Sequence, residues 1–221
     1  MGVILMVTTI VGLCIAVVLI GIAWLNHNSH LKRSVLGSVA LLFVSYALSL
    51  LAASLTSRET LLAFNEPKAF CGFYLDCHMH AAVVGVRQTK TIGDNTADGR
   101  FYVVSVRVFS DAKRASIGLL EVDARVEDAS DNSYTRDLTA EQALPAQPVF
   151  EQKLGPGDSF TKEIVFNLPV NVKAPRLDIR EGYAIDHFIE SVLICDEDSL
   201  FHERKYFDLT EQVDPEARAR S

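Results

Sequence analysis

Phe101-Tyr102-Val103-Val104-Ser105-Val106-Arg107-Val108-Phe109 is the stretch whose reading decides the fold. It is rich in β-branched and aromatic side chains, which suit a pleated surface. Its apolar residues recur with a period of two, so Tyr102, Val104, Val106 and Val108 share one face while Ser105 and Arg107 lie on the other. A strand with one dry face belongs to an antiparallel sheet that covers a core on one side. Toward the C-terminus the pattern repeats: Leu120, Val122, Ala124 and Val126 alternate with Glu121, Asp123 and Arg125. Further strands are expected over His80 to Arg87, Phe160 to Leu168, Leu177 to Arg180, Phe188 to Ile194 and Arg204 to Leu209. Turn chemistry separates them at Asp98-Gly99, at Asp128 to Ser133 and at Gly155-Pro156-Gly157-Asp158.

About seven or eight short strands without an amphipathic helix predict an antiparallel β-sandwich. A parallel α/β sheet would need crossovers of about a dozen residues, which these connections do not offer. The prolines of Leu144-Pro145-Ala146-Gln147-Pro148 predict an extended connection. From Thr210 to Ser221 the chain is charged and poor in apolar residues, and a frayed tail or one helical turn at Asp214-Pro215 is expected.

Toward the N-terminus the period of two gives way to continuous apolarity. Val3 to Leu25 and Val35 to Leu55 carry no charge, and each is long enough to cross a hydrocarbon core that takes about 20 residues. A short polar connection, Asn26 to Ser34, makes them an antiparallel hairpin. Trp24 ends the first run at headgroup level. Ser45 and Ser49, then Ala52 and Ala53, offer small side chains for close helix contact. A cleaved signal peptide fits poorly, because the first residues hold no Lys or Arg and the apolar run is too long. Myristoylation fails at Met6, where Ser or Thr is needed. Lys32 and Arg33 in the connection put that loop in the cytoplasm and both termini outside. The expected organisation is a hairpin over 1–60, a linker over 61–75, a sandwich over 76–209 and a charged tail over 210–221.

Across 221 residues the net charge is −7, and the first sixty residues hold three bases against one acid, so the remainder of the chain carries −9. A nucleic-acid binder would need a basic face. Hydrophobic residues at 49% and charged residues at 22% exclude a wholly disordered or collagen-like chain.

Leu154-Gly155-Pro156-Gly157-Asp158-Ser159-Phe160-Thr161, followed by Ile164-Val165-Phe166-Asn167-Leu168-Pro169, resembles a motif of bacterial immunoglobulin-like domains of unknown function. Gly99-Arg100-Phe101-Tyr102-Val103-Val104-Ser105-Val106 resembles their early central strand. The resemblance covers residues 70 to 209. It implies an extracytoplasmic sandwich tethered to the membrane, and implies little about function.

Chemistry concentrates at Cys71 to His80. Cys77, His78, Met79 and His80 are soft or borderline ligands that suit copper or zinc. In an extended strand, however, His78 and His80 share one face and Cys77 and Met79 the other. His187, Cys195 or His202 would have to join them from elsewhere. Cys71, Cys77 and Cys195 are disulfide candidates for an oxidising compartment; closure between Cys71 and Cys77 needs no assumption about topology, while a bond to Cys195 would tie the first strand to the last hairpin. Such a bond would remove thiols from the ligand pool. Asp196-Glu197-Asp198-Ser199 supplies carboxylates but lacks the regular spacing of a calcium loop. Asp186-His187 with Glu190 imitates an acid/base pair, yet no Gly-x-Ser-x-Gly elbow, phosphate loop or His-Glu-x-x-His accompanies it. The expectation is therefore a non-catalytic chain without a cofactor, integral to the cytoplasmic membrane, with the lipid bilayer and a protein as partners and no nucleic acid. Two alternatives stand beside it: metal handling through Cys77, His78, His80 and His202, and a structural subunit of a membrane complex.

Overall fold

The computed structural model describes residues 2–71, 77–194 and 196–210. Cys195 and the charged tail from residue 211 lie outside the described residues. The chain forms two compact units, Met1–Arg58 with Ile185–Arg204, and Glu59–Ala184 with Lys205–Ser221.

The first unit is built on two long helices, α1 (Gly2–Leu25) and α2 (Ser29–Thr56). Their 24 and 28 residues contain apolar windows that are almost wholly unburied, and both are long enough to cross a bilayer. The turn between them is tighter than expected. Asn28 caps α2, its side-chain oxygen accepting the Leu31 amide at 3.0 Å, so Ser29 to Ser34 join the helix and only Asn26 to Asn28 connect. His27 takes a left-handed conformation there, with φ 52°. Lys32 Nζ sits 4.6 Å from the centre of the Trp24 ring, so base and aromatic ring meet at the same end of the hairpin. On α1 the covered positions include Met6, Thr9, Gly12, Leu13, Ala16, Ile20 and Ala23; on α2 they include Val35, Val39, Leu42, Tyr46 and Leu50. Spacings of three and four residues are those of one helix face packed on another. Ser45 and Ser49 fall off this seam: both are exposed, and their hydroxyls bond back to Leu42 and Ser45 carbonyls within α2.

The same unit holds a second correction. Phe188 to Ile194 is not a strand. α4 (Ala184–Glu190) is a short helix, and turns follow it. The apolar run Ile189 to Ile194 imitates a buried strand, but the segment bonds to α2 instead of a sheet. Tyr46 Oη donates to Val192 O at 2.7 Å, Ser54 Oγ donates to Leu200 O at 2.7 Å, and Ser57 Oγ accepts from the Glu203 amide at 2.8 Å. Among the described residues there is accordingly no final hairpin around Asp196 to Ser199.

The second unit is a pair of sheets. Its elements are β1 (Thr60–Leu62), β2 (Lys68–Phe70), β3 (Met79–Ile92), β4 (Asn95–Ser110), β5 (Asp123–Glu127), β6 (Ser133–Thr135), α3 (Leu138–Gln142), β7 (Ser159–Leu168), β8 (Arg176–Arg180) and β9 (Lys205–Asp208). One sheet runs β1-β9-β8-β5-β6 and the other β2-β3-β4-β7. Every pairing is antiparallel except β1 with β9, which is parallel and departs from the expected pattern. The facing residues form one core: Val104, Val106, Val108, Ile164 and Phe166 from one sheet meet Val126, Leu177, Ile179 and Phe207 from the other.

The long β3–β4 ladder differs from its expected form in two ways. The turn is Gly93-Asp94, with Gly93 at φ 55°, where a Cβ would be strained. Asp98-Gly99 instead lies inside β4, where residues 97–100 bulge opposite Lys90. Lys90 Nζ donates to the carbonyls of Ala97, Asp98 and Gly99 at 2.6, 3.1 and 3.1 Å, which satisfies the bulged backbone. The second difference is that β4 is dry on both faces. Phe101 and Val103 join Ile92, Ala97, Ala140 and Val165 in a second cluster on the outer face, covered by α3 and Leu144. Leu120 to Val122, expected in a strand, is irregular and half-exposed or exposed, and β5 begins only at Asp123.

Candidate functional site

The start of β3 gathers the residues singled out from the sequence. Cys71 and Cys77 form a disulfide, with Cα atoms 4.1 Å apart, which removes Cys77 from the pool of thiolate ligands. His78 and His80 do share a face, and both meet a carboxylate that the sequence reading did not include. His78 Nδ1 lies 2.6 Å from Asp111 Oδ1, and His80 Nε2 lies 3.3 Å from Asp111 Oδ2. Asp111 follows the end of β4, which β3 pairs at Met79↔Ser110, so the sheet register itself delivers it. The hydrogen bond from His78 holds the Asp111 carboxyl below its ordinary range. His80 also stacks on its cross-strand neighbour Phe109, ring centres 5.0 Å apart. His202 belongs to the other unit, with its Nδ1 2.8 Å from the Glu203 carbonyl.

A second constellation arises in α4 and the turn after it. His187 and Glu190 are one helical turn apart, and His187 Nδ1 lies 3.3 Å from Glu190 Oε2. Asp198 reaches them from the turn, so that one ligand atom of each of His187, Glu190 and Asp198 lies within 4.8 Å of the others. Arg204 Nε stands 3.4 Å from Asp198 Oδ1, and the Asp198 amide donates to Asp196 Oδ1 at 3.0 Å. Burial pushes the Glu190 carboxyl up to about 7, with repulsion from Asp196 and Asp198 adding to it and His187 opposing. Burial raises Asp196 as well. The helix is inverted relative to a surface helix of a soluble protein: Ile185 and Phe188 are exposed at 61% and 68%, while His187 and Glu190 turn inward. In the sequence Asp186, His187 and Glu190 stand together as an imitation acid/base pair, but the strand expected from Phe188 to Ile194 separates His187 from Glu190.

The sheet edges are treated unequally. Along β7 the connection from Arg136 to Pro148 takes up the edge groups: Val165 N donates to Glu141 Oε1 at 3.0 Å, Val165 O accepts the Asp137 amide at 2.7 Å, and Gln147 bonds both N and O of Glu163 at 2.7 and 2.8 Å. β3 is left open. Among the described residues β2 pairs with it only as far as Ala81, and the Asn65 amide caps Val83 O at 2.9 Å. Beyond that, no described strand pairs on this side of Val84 to Ile92. Gln88, Thr89 and Lys90 also border, with Gly99 and Arg100 of β4 and Val170 beyond β7, a hollow of about 410 Å³.

No family model and no curated protein matches the chain. Among solved structures it is similar to the YjhA protein of Bacillus subtilis, at 18% identity over 53% of this chain and 78% of that one, with a TM-score of 0.37. A conserved hypothetical protein from Bacillus anthracis matches at 16% identity over 52% of this chain and 93% of that one, TM-score 0.38. The secreted protein MPT63 of Mycobacterium tuberculosis matches at 8% identity over 69% and 97%, TM-score 0.43. A likeness this loose assigns neither a family nor a function.

Proposed function

We propose that the chain is an integral membrane protein whose helical hairpin tethers an immunoglobulin-like sandwich outside the cytoplasmic membrane, where the sandwich binds a protein partner without catalysis. The observation that carries this reading is the exposure of the hairpin. Ile4, Val17, Trp24, Leu41, Leu48 and Leu55 are among its large apolar side chains, each more than half exposed, a surface that water does not tolerate and lipid does. Ile185, Phe188 and Phe201, on the segment bonded to α2, are likewise more than half exposed. The Cys71–Cys77 disulfide suits an oxidising compartment, and Lys32 and Arg33 at the hairpin turn suit the cytoplasm.

The binding surface in this reading is the outer edge of β3. An open strand offers a row of backbone donors and acceptors to an incoming extended segment, and the alternate side chains select it. A photo-reactive residue placed at Gln88 or Thr89 in cells should crosslink a discrete partner, while one at Ser130, on the remote β5–β6 turn, should not. Equal labelling from all three positions, or none from β3, defeats the assignment.

A further inference from the structure

We propose that His187, Glu190 and Asp198 bind one divalent transition-metal ion of the zinc class, clasping α4 to the turn that follows it. Zinc holds nitrogen and oxygen ligands at about 2.0–2.2 Å, which sets tetrahedral neighbours about 3.4 Å apart. His187 Nδ1 and Glu190 Oε2 already stand 3.3 Å apart, and the whole set closes within 4.8 Å. Ligation by all three therefore requires only a small inward movement of Asp198.

An independent observation points the same way. Glu190 is 8% exposed, and its Oε2 and the facing Nδ1 of His187, an ion pair 3.3 Å apart, are both buried without making a hydrogen bond. Buried polar atoms left unsatisfied are rare and costly, and two of them aimed at each other mark a place where a third group belongs. A cation between them satisfies both. It also offsets the crowding of the Glu190, Asp196 and Asp198 carboxylates. The inverted helix fits this role, because α4 turns its polar side chains inward and its apolar ones outward.

The donor set fixes the class of ion. One imidazole and two carboxylates suit zinc and its neighbours, whereas calcium asks for six to eight oxygens. Arg204, beside Asp198 Oδ1, stands where an outer residue orients a ligating carboxylate. The clasp lies in the segment that bonds α2 through Tyr46, Ser54 and Ser57, so the ion would stiffen that attachment.

The test is zinc titration of the full chain, purified in detergent after treatment with a chelator, followed by calorimetry. The expected result is one saturable zinc site per chain. Outer-shell changes cost about 10–100-fold in metal affinity, so His187→Ala and Glu190→Gln, which remove ligands, should each cost about 100-fold or more. A His78→Ala/His80→Ala double variant should bind as the parent does. Circular dichroism monitors folding, and Glu190→Gln, which keeps side-chain volume, serves if His187→Ala does not fold. Absence of a saturable site, binding that survives Glu190→Gln, loss confined to the His78/His80 variant, or equal binding of calcium would each overturn the proposal.

Discussion

Lys68 buries its side chain in the sandwich, donating from Nζ to Ile179 O at 2.9 Å and lying 3.7 Å from Asp178 Oδ1. Asp178, equally buried, takes Arg180 Nε on its other oxygen at 2.7 Å. Pairs of this kind add little net stability, but breaking one strands a charge. Asp178→Asn should therefore lower the unfolding free energy of the chain by about 3–5 kcal/mol in a denaturant titration, and the double change Lys68→Met with Asp178→Leu should recover most of it. Nothing local betrays this role, since Lys68 and the carbonyl it reaches are 111 positions apart. Asp128 is the opposite case. The Asp128-to-Ser133 turn is readable from composition, and the structure adds that Asp128 accepts from Asn132 Nδ2 at 2.9 Å and from the Ser130 amide at 2.8 Å. Those bonds, the Asn132 side chain first, hold its carboxyl down to about 2. Because the native value lies below the unfolded one, near about 3.9, the stability this residue contributes is complete above that value and is lost as pH falls toward 2. Carbon-detected titration of the Asp128 carboxyl should give a midpoint near 2; a midpoint in the ordinary range would mean that the turn does not hold it.

At the level of elements, period and turn chemistry carried furthest where a strand packs on one side. Phe160 to Leu168, Leu177 to Arg180 and Arg204 to Leu209 fall within a residue of β7, β8 and β9. They carried least where a segment's environment is set by a distant element. Phe101 and Val103 lie on the face expected to be polar because α3 and Leu144 dry it, and α3 was not foreseen. Phe188 to Ile194 reads as a strand in isolation, yet α2 supplies its partners. Of the two site regions, His78 and His80 were legible as neighbours on one face, but Asp111 becomes visible only through the β3–β4 register. The β4 bulge offers a direct test of element geometry. A Cβ on Gly99 would overlap the Leu168 carbonyl of the adjoining chain, so no side chain fits there. Gly99→Ala should cost about 1–3 kcal/mol by overpacking, read as a lowered midpoint of thermal unfolding. An unchanged midpoint would show that β7 yields at this point.

For the whole molecule the division of labour is set by polarity. One unit carries nearly uncharged helices with their apolar side chains outward, and the other carries a conventional closed core with most of the acidic charge. The proposed tether and the proposed partner surface rest on that contrast: lipid would cover the first, and among the described residues the second leaves the β3 edge unpaired from Val84 onward. Hairpin length and the absence of charge were readable directly from sequence, because a hydrocarbon layer imposes its requirement residue by residue. The seam between α1 and α2 was not, since uniformly apolar helices give no periodicity from which to read a facing side.

The membrane placement is tested most directly by accessibility in intact cells. Ser130→Cys, in the β5–β6 turn, and Ser29→Cys, at the hairpin turn, are introduced one at a time into a Cys14→Ala/Cys195→Ala background that keeps the Cys71–Cys77 disulfide, and are challenged with a membrane-impermeant maleimide. The account predicts labelling of Ser130→Cys in sealed cells and of Ser29→Cys only after lysis. Labelling of Ser29→Cys alone in sealed cells would contradict the orientation, and release of the chain by alkaline extraction in the same preparation would contradict the span itself.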